Sequence, residues 1–424
     1  MLNLGKLLSR AIEVFLSKGE IMKVALGLIT KYINSNISVM DFVRNANEFG
    51  HEIDALIICY SHGYDRVFVE NLEKEFPRTY LIKVNHCYDM EKDLRKRGIK
   101  SKDFLPLIYA DTLETYGLLP YSTYRNSVLI KAMLLEMDAL FFVDTDVYPL
   151  LLRQGPRKTK FPEYISLKDS KEMEDYQLDE VDFFGRHLEH LKKEDVMVTT
   201  SDYSGYYIIP PMNFEHLEDY LGGLQKESAL GLVKGCSMNG CKNFSSDVQK
   251  PFVTDKFLGG NMAIKLKAFK ELPPFFSTTY IAGSELVLSR GEDTLMGTFA
   301  KNNKLKSVDI DTLIFHNTYS DFPMQPDILN NKSIRDRFYY ASVGWIGRNP
   351  FMNYINGNDY KALYEEQREL LIKSSVHTAR YLKDRRFLIM PNAIESAMND
   401  FDKVLEEYEL AINGFNNIKK KLIK

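Results

Sequence analysis

The sequence predicts an α/β fold in which a mostly parallel sheet is flanked by helices and followed by a helical C-terminal region. Three observations carry that prediction. Short, almost wholly apolar runs at 24–29, 55–59, 80–84 and 139–143 have the texture of strands buried on both faces. Helix-length stretches at 39–47, up to about Lys74, and at 126–136 alternate with them, the arrangement of strand–helix–strand units. After about Pro326 the texture becomes helical throughout.

A chain of 424 residues is long for one ordinary core, so one large or two unequal domains is expected. Hydrophobic residues make up 45% and charged residues 27%, which excludes a disordered or fibrous chain. Lys and Arg total 55 against 58 Asp and Glu, a net charge of −3, without the basic excess that nucleic-acid binding requires. Four cysteines (Cys59, Cys87, Cys236, Cys241) make no disulfide framework, and no cleavable leader pattern opens the sequence, so a cytoplasmic location is expected. No run approaches the roughly 18 apolar residues of a spanning helix.

Taken in order, residues 2–18 place Leu4, Leu7, Leu8, Ile12, Phe15 and Leu16 at helical spacing with charges between them. This amphipathic helix, 1–21, either packs on the domain behind it or lies at a membrane interface as a peripheral contact. The domain proper begins at about Met22 and runs to 325. The apolar strand at 139–143 ends abruptly in Asp144-Thr145-Asp146. The segment from Glu163 to Asp195 is densely charged with little periodicity and reads as a solvated connection. Its His187 and His190, one helical turn apart, are either a metal pair or, with no third ligand nearby, a solvated helix face, and the second reading is favoured. Cys236 and Cys241 lack the CxxC spacing of a zinc site. In the helical region 326–424, Ile394, Ala397, Met398, Phe401, Val404, Leu405 and Tyr408 mark one face of a single long helix with Pro391 near its start. The terminal IKKKLIK is a solvated end or an anionic-lipid contact.

The chemistry concentrates at four places. Residues i and i+2 of an extended segment point the same way, so Asp144 and Asp146 face one site beyond the strand's carboxyl end, where open α/β sheets bind ligands. Two carboxylates held together repel unless a cation lies between them, and hard oxygen ligands suit Mg²⁺ or Mn²⁺ on a diphosphate. Gly259-Gly260-Asn261 heads an apolar strand, either a plain tight turn or a place where backbone approaches a ligand. Glu292-Asp293 precedes a helical stretch, where carboxylates also serve as caps. His316 closes a further apolar strand.

In order and context these clusters resemble the GT-A glycosyltransferases, chiefly the large family of inverting nucleotide-sugar transferases and more distantly mannosylglycerate synthase. The resemblance covers roughly 22–325. It implies a Rossmann-like core, and it matches Arg125-Asn126 to the pair opening the helix before the metal motif and Asp144-Thr145-Asp146 to the DxD. It also matches Gly259-Gly260-Asn261 to the segment under the sugars, Glu292-Asp293 to the acidic pair of the catalytic helix, and His316 to a late metal ligand. The first strand ends in Ile29-Thr30-Lys31-Tyr32 without the common proline-and-asparagine turn, and the second in Cys59-Tyr60-Ser61-His62 without the usual acidic residue. Thr30, Tyr32 and Ser61 are assigned to the nucleobase pocket by their strand-end positions alone.

What the resemblance implies is a metal-dependent glycosyltransferase moving a sugar from a UDP- or GDP-sugar donor to the hydroxyl of a carbohydrate or other acceptor. Asp144, Asp146 and His316 would hold Mn²⁺ or Mg²⁺. Asp293 would be the general base of an inverting displacement, with Glu292 second or holding sugar hydroxyls. Two readings stand beside it: retaining transfer on the same scaffold, and an inactive protein that binds a nucleotide sugar or glycan. A nucleotidyltransferase would need a Gly-rich, lysine-bearing phosphate loop after the first strand, and none is present. Oligomers are compatible with all three.

Overall fold

A computed structural model describes residues 22–156, 174–205, 209–225, 244–246, 248–319 and 322–423. The 2–18 helix, Cys236 and Cys241 lie outside them.

Strands β1 (Val24–Ile33), β2 (Ala55–Tyr64), β3 (Thr79–Lys83) and β4 (Ala139–Val143) form one side of an eight-stranded sheet ordered β3-β2-β1-β4-β10-β7-β13-β9. These four run parallel. β10 (Asn261–Lys265) lies antiparallel between β4 and β7 (Val196–Thr200). β13 (Lys306–Asp309) is parallel to β7 and antiparallel to the edge strand β9 (Phe252–Val253). The central strands are buried on both faces, which is why β4 reads as five apolar residues in a row. Alternate residues serve two cores: Ala25, Ile57, Leu140 and Phe142 face one, and Leu26, Ile58, Phe141 and Ala263 the other. The Tyr121–Leu134, Ser101–Ile108 and Phe401–Leu422 helices cover the first face. The Val39–Glu48, Arg66–Glu75 and Phe183–Leu191 helices cover the second.

A smaller sheet, ordered β6-β5-β14-β8, joins β5 (Val147–Gln154), β6 (Tyr176–Glu180), β8 (Tyr203–Ser204) and β14 (Ile314–His316). A hairpin of β11 (Thr279–Ala282) and β12 (Glu285–Leu288) packs with the Leu217–Leu224, Lys332–Ile355, Tyr360–Leu382 and Met390–Asn399 helices around a third core. Local chemistry sets several helix starts: Asp65 accepts from Phe68 N, Asp182 from Gly185 N, and Asn331 and Asp359 from the first turns they precede. No described helix is long and apolar enough to cross a membrane.

Four expectations change. β1 and β2 do not stop at Ile29 and Cys59; past a bulge between Thr30 and Tyr32 they continue paired, Tyr32 opposite Gly63 and Ile33 opposite Tyr64. The charged stretch ending at Asp195 is not a plain solvated connection, because within it β6 pairs with β5 and the Phe183–Leu191 helix buries Phe183, Phe184 and Leu191. Alternating charges masked an apolar face that only a packed helix displays. His187 belongs to that buried face and is fully enclosed, so it is no solvated histidine. Finally, the stretch read as one long C-terminal helix is two, Met390–Asn399 and Phe401–Leu422, parted at Asp400. The first packs in the third core and the second against the main sheet, and Asp400 Oδ2 accepts from Ile281 N of β11 at 3.2 Å. Two cores demand two helix directions.

Candidate active site

A cavity of about 960 Å³ opens at the carboxyl end of β4, lined from the sheet side and from the C-terminal helices. Asp144 and Asp146 enter it directly after β4, and the turn they form is held from outside by Ser38, whose N donates to Thr145 O (3.1 Å) and whose Oγ donates to Asp144 O (3.3 Å). The antiparallel pairing of Asn261 with Val143 brings Gly259-Gly260 alongside Asp144. Pairing of β14 with β5 sets His316 opposite Val147, and Asn317 N donates to Asp146 O at 3.0 Å, so a residue 170 positions later meets the motif. His316 Nε2 lies 3.1 Å from Asp146 Oδ1. Its ring packs edge-on to Tyr203, centroids 4.7 Å apart.

Arg125 organises the floor. Its guanidinium is 4% exposed, donates from Nε to Glu292 Oε1 at 2.6 Å and from Nη1 to Gly259 O at 3.2 Å, and stands 3.6 Å from Asp144 Oδ1. It also lies over the Phe142 ring at 4.9 Å. Burial opposes its charge, and Glu292, Asp144 and Asp293 together more than offset that. Two glycines are required here. A Cβ on Gly259 would stand 2.0 Å from Arg125 Nη2, and one on Gly260 would stand 2.6 Å from Asp144 Oδ2 and 2.7 Å from Tyr203 Oη. Gly291, at φ 89° before the Glu292–Asn302 helix, meets the same demand against Arg348.

The carboxylates differ in environment. Burial raises the pKa of Asp144 above the usual carboxylate range against the pull of Arg125, and the nearby Asp146 adds to the rise. Burial pushes Asp146 the same way, but His316 and Arg337 outweigh it and hold its pKa low. Burial raises Glu292 as well, opposed by Arg125 and reinforced by Asp293. Asp293 accepts Gly259 N on Oδ2 at 2.7 Å and its neighbour Thr294 N on Oδ1 at 2.8 Å, and its side chain still lines the cavity.

The structure thus brings Arg125, Asp144, Asp146, Gly259, Gly260, Glu292, Asp293 and His316 to one place. Asp144, Asp146 and His316 do not converge to within 4.8 Å of one another as one set of ligand atoms. The donor set nevertheless fits a divalent cation, since Asp146 is held ionised and the Asp144–Asp146 repulsion is what a cation relieves. Asn261 points inward: its amide donates to Asp202 O and Thr312 O, each at 3.1 Å, and its Oδ1 meets His187 Nε2 at 3.0 Å. Thr30, Tyr32 and Ser61 do not line the cavity, which Ile29 alone reaches from that edge among the described residues. Thr30 Oγ1 donates to Tyr32 O, and Ser61 Oγ accepts from Tyr124 Oη at 2.6 Å.

Sequence reasoning missed the remaining lining, including Asp202, Tyr203, Lys256, Arg337, Trp345 and Arg348. The one available signal was Trp345, the only tryptophan of the chain. Among the described residues Lys256 pairs with Asp202 and Lys301 with Asp255, so the cavity holds matched charges.

No family model matches the chain, and no curated protein does. Solved structures of glucosyl-3-phosphoglycerate synthase from Mycobacterium tuberculosis are similar at low levels. The complex with phosphoglyceric acid is 12% identical over 80% of this chain and 81% of that one, with a TM-score of 0.37. The complex with Mn²⁺, uridine-diphosphate-glucose and glycerol 3-phosphate is 11% identical over 80% and 81%, also at 0.37. The complex with Mn²⁺ and uridine-diphosphate-glucose is 10% identical over 80% of each chain, at 0.36.

Proposed function

We propose that this chain is a metal-dependent glycosyltransferase of GT-A type, transferring a sugar from a nucleoside-diphosphate sugar to an acceptor hydroxyl. The observation that carries the reading is the Asp144-Thr145-Asp146 turn at the carboxyl end of a buried parallel strand, opening into a cavity whose other wall holds Asp293. Asp144 and Asp146, with His316 beside them, would hold Mn²⁺ or Mg²⁺, which when bound neutralises charge developing on the diphosphate leaving group.

The chain's own residues do the rest. Arg125 holds Asp144 and Glu292 in place from beneath, and the missing side chains of Gly259 and Gly260 leave room for Arg125, Asp144 and Tyr203 to pack against the backbone. Glu292 is locked to Arg125, which leaves Asp293 as the carboxylate to take the acceptor proton, on either oxygen's remaining lone pair. Outside the cavity, the exposed Tyr32 and Tyr64 rings on the β1–β2 extension offer flat faces for a nucleobase. Arg290, Arg337 and Arg348 line the cavity near Trp345, a wall suited to an acceptor bearing an anionic group. Retaining transfer is the second reading, favoured by the backbone N–H bond that each Asp293 oxygen already accepts.

The test is a screen of nucleotide sugars for release of nucleoside diphosphate in Mn²⁺ and in EDTA. Turnover is expected with the metal and absent with the chelator or with Asp146→Ala. Undiminished turnover in EDTA would overturn the metal assignment, and binding of a nucleotide sugar with no turnover of any donor would leave an inactive binding protein as the reading.

A further inference from the structure

Outside the cavity, one group of side chains gathers its ligand atoms as a cation requires. Glu215, His216 and His377 offer a carboxylate oxygen and two ring nitrogens within 4.8 Å of one another, the one such triple of His, Cys, Asp or Glu among the described residues. His216 opens the Leu217–Leu224 helix and His377 lies on the Tyr360–Leu382 helix, so the group bridges elements far apart in sequence. The two rings stand 4.7 Å apart at 73°. His377 Nδ1 is 3.2 Å from Glu215 Oε2, and His216 Nε2 faces Glu215 Oε1 at 3.7 Å. The other nitrogen of His216, Nδ1, meets Asp219 Oδ2 at 2.8 Å, and Lys373 Nζ holds that carboxylate at 2.9 Å. A ring fixed at one nitrogen by a carboxylate, with the other turned to a shared point, is how metal sites set the tautomer and aim of a histidine ligand. Two protonated rings so close would repel, whereas two neutral imidazoles and one carboxylate are the donor set of Zn²⁺ and its first-row neighbours.

We propose that Glu215, His216 and His377 bind a Zn²⁺-class transition-metal ion, with Asp219 as the positioning partner of His216 and water completing the shell. The ion clamps the Leu217–Leu224 helix onto the C-terminal helices. That helix ends at Gln225, which lines the cavity and whose Oε1 accepts from Arg348 Nη2 at 3.4 Å, so the clamp also steadies one cavity wall.

The test uses the full chain carrying Cys236→Ser, Cys241→Ser and Asp146→Ala, the last to disable the cavity's own cation set, in excess Mg²⁺ to occupy carboxylate-only sites. Co²⁺ is titrated by its visible absorption and Zn²⁺ by equilibrium dialysis. One ion per chain is expected, lost in the His216→Gln/His377→Gln pair and bound about 10–100-fold more weakly in Asp219→Asn. Zn²⁺ should raise the melting temperature of the parent and leave that of the pair unchanged. Glu215→Gln, at an exposed position, keeps the test open should the paired variant misfold. Unchanged stoichiometry and affinity in Glu215→Gln and in the histidine pair, or a parent melting temperature indifferent to Zn²⁺, would overturn the proposal.

Discussion

At the residue scale, Asp293 separates the two mechanisms. Asp293→Asn keeps size and one acceptor oxygen, losing basicity and one of the two backbone N–H bonds, so an inverting enzyme should lose at least about 10²-fold in turnover while donor binding survives. Glu292→Gln should instead disturb Arg125 and, through it, Asp144. Proton NMR of the product gives the independent answer, because retained anomeric configuration would remove the base role. His187 makes a different prediction. Burial lowers its pKa from 6.5 to about 4, with the Asn261 hydrogen bond opposing only in part. The unfolded chain then binds the extra proton over that window, so stability is complete above about pH 6.5 and falls as the pH drops toward 4. The full effect is on the order of 3 kcal/mol, from about 1.4 kcal/mol per unit. A His187→Gln variant should flatten that part of the pH profile of chemical denaturation; an unchanged slope would refute the assignment.

At the element scale, close approach decides which substitutions hurt. A Cβ on Gly414 of the Phe401–Leu422 helix would stand 2.2 Å from the backbone oxygen of Asp103 on the Ser101–Ile108 helix. Backbone cannot turn aside as a side chain can, so Gly414→Ala should force the helices apart and cost about 1–3 kcal/mol in urea denaturation with little effect on KM. Gly260→Ala should do the reverse. Its Cβ meets side-chain atoms of Asp144 and Tyr203, which can move, so donor turnover should fall more than stability. Equal losses in both quantities for both variants would contradict this division.

At the scale of the whole molecule, the region after about residue 326 shares the sheet's core. Phe351, Phe401, Val404, Phe415 and Ile418 lie in one cluster with Leu140, Phe142 and Met262 of the central strands. The division at 326 therefore marks a change of texture along the chain, and a fragment ending there would expose that apolar face to water. We expect residues 22–325 alone to lack a cooperative unfolding transition, measured by near-UV circular dichroism on heating. A fragment that melts sharply would show that the two parts fold separately.

The sequence by itself determined the elements whose signals are local. β4 is legible because a strand buried on both faces has to be apolar throughout, and the Asp144-Thr145-Asp146 turn is legible because carboxylates cannot follow such a strand into the core. Gly259-Gly260 and Glu292-Asp293 were visible as short motifs for the same reason. Only the tertiary structure decided what the motifs touch. Asn261 looks like part of the ligand-facing segment, yet strand pairing turns it toward His187 and Thr312, because successive strand residues face opposite sides. The partnership of Arg125 with Glu292 spans 167 positions, and the cavity wall built from Arg337, Trp345 and Arg348 comes from a helix whose sequence shows only that it is helical. Spacing along the chain fixes neighbours within a helix or strand, but contacts between elements depend on how sheet order and helix direction bring distant residues together, and that information is carried by the packing of all the cores at once.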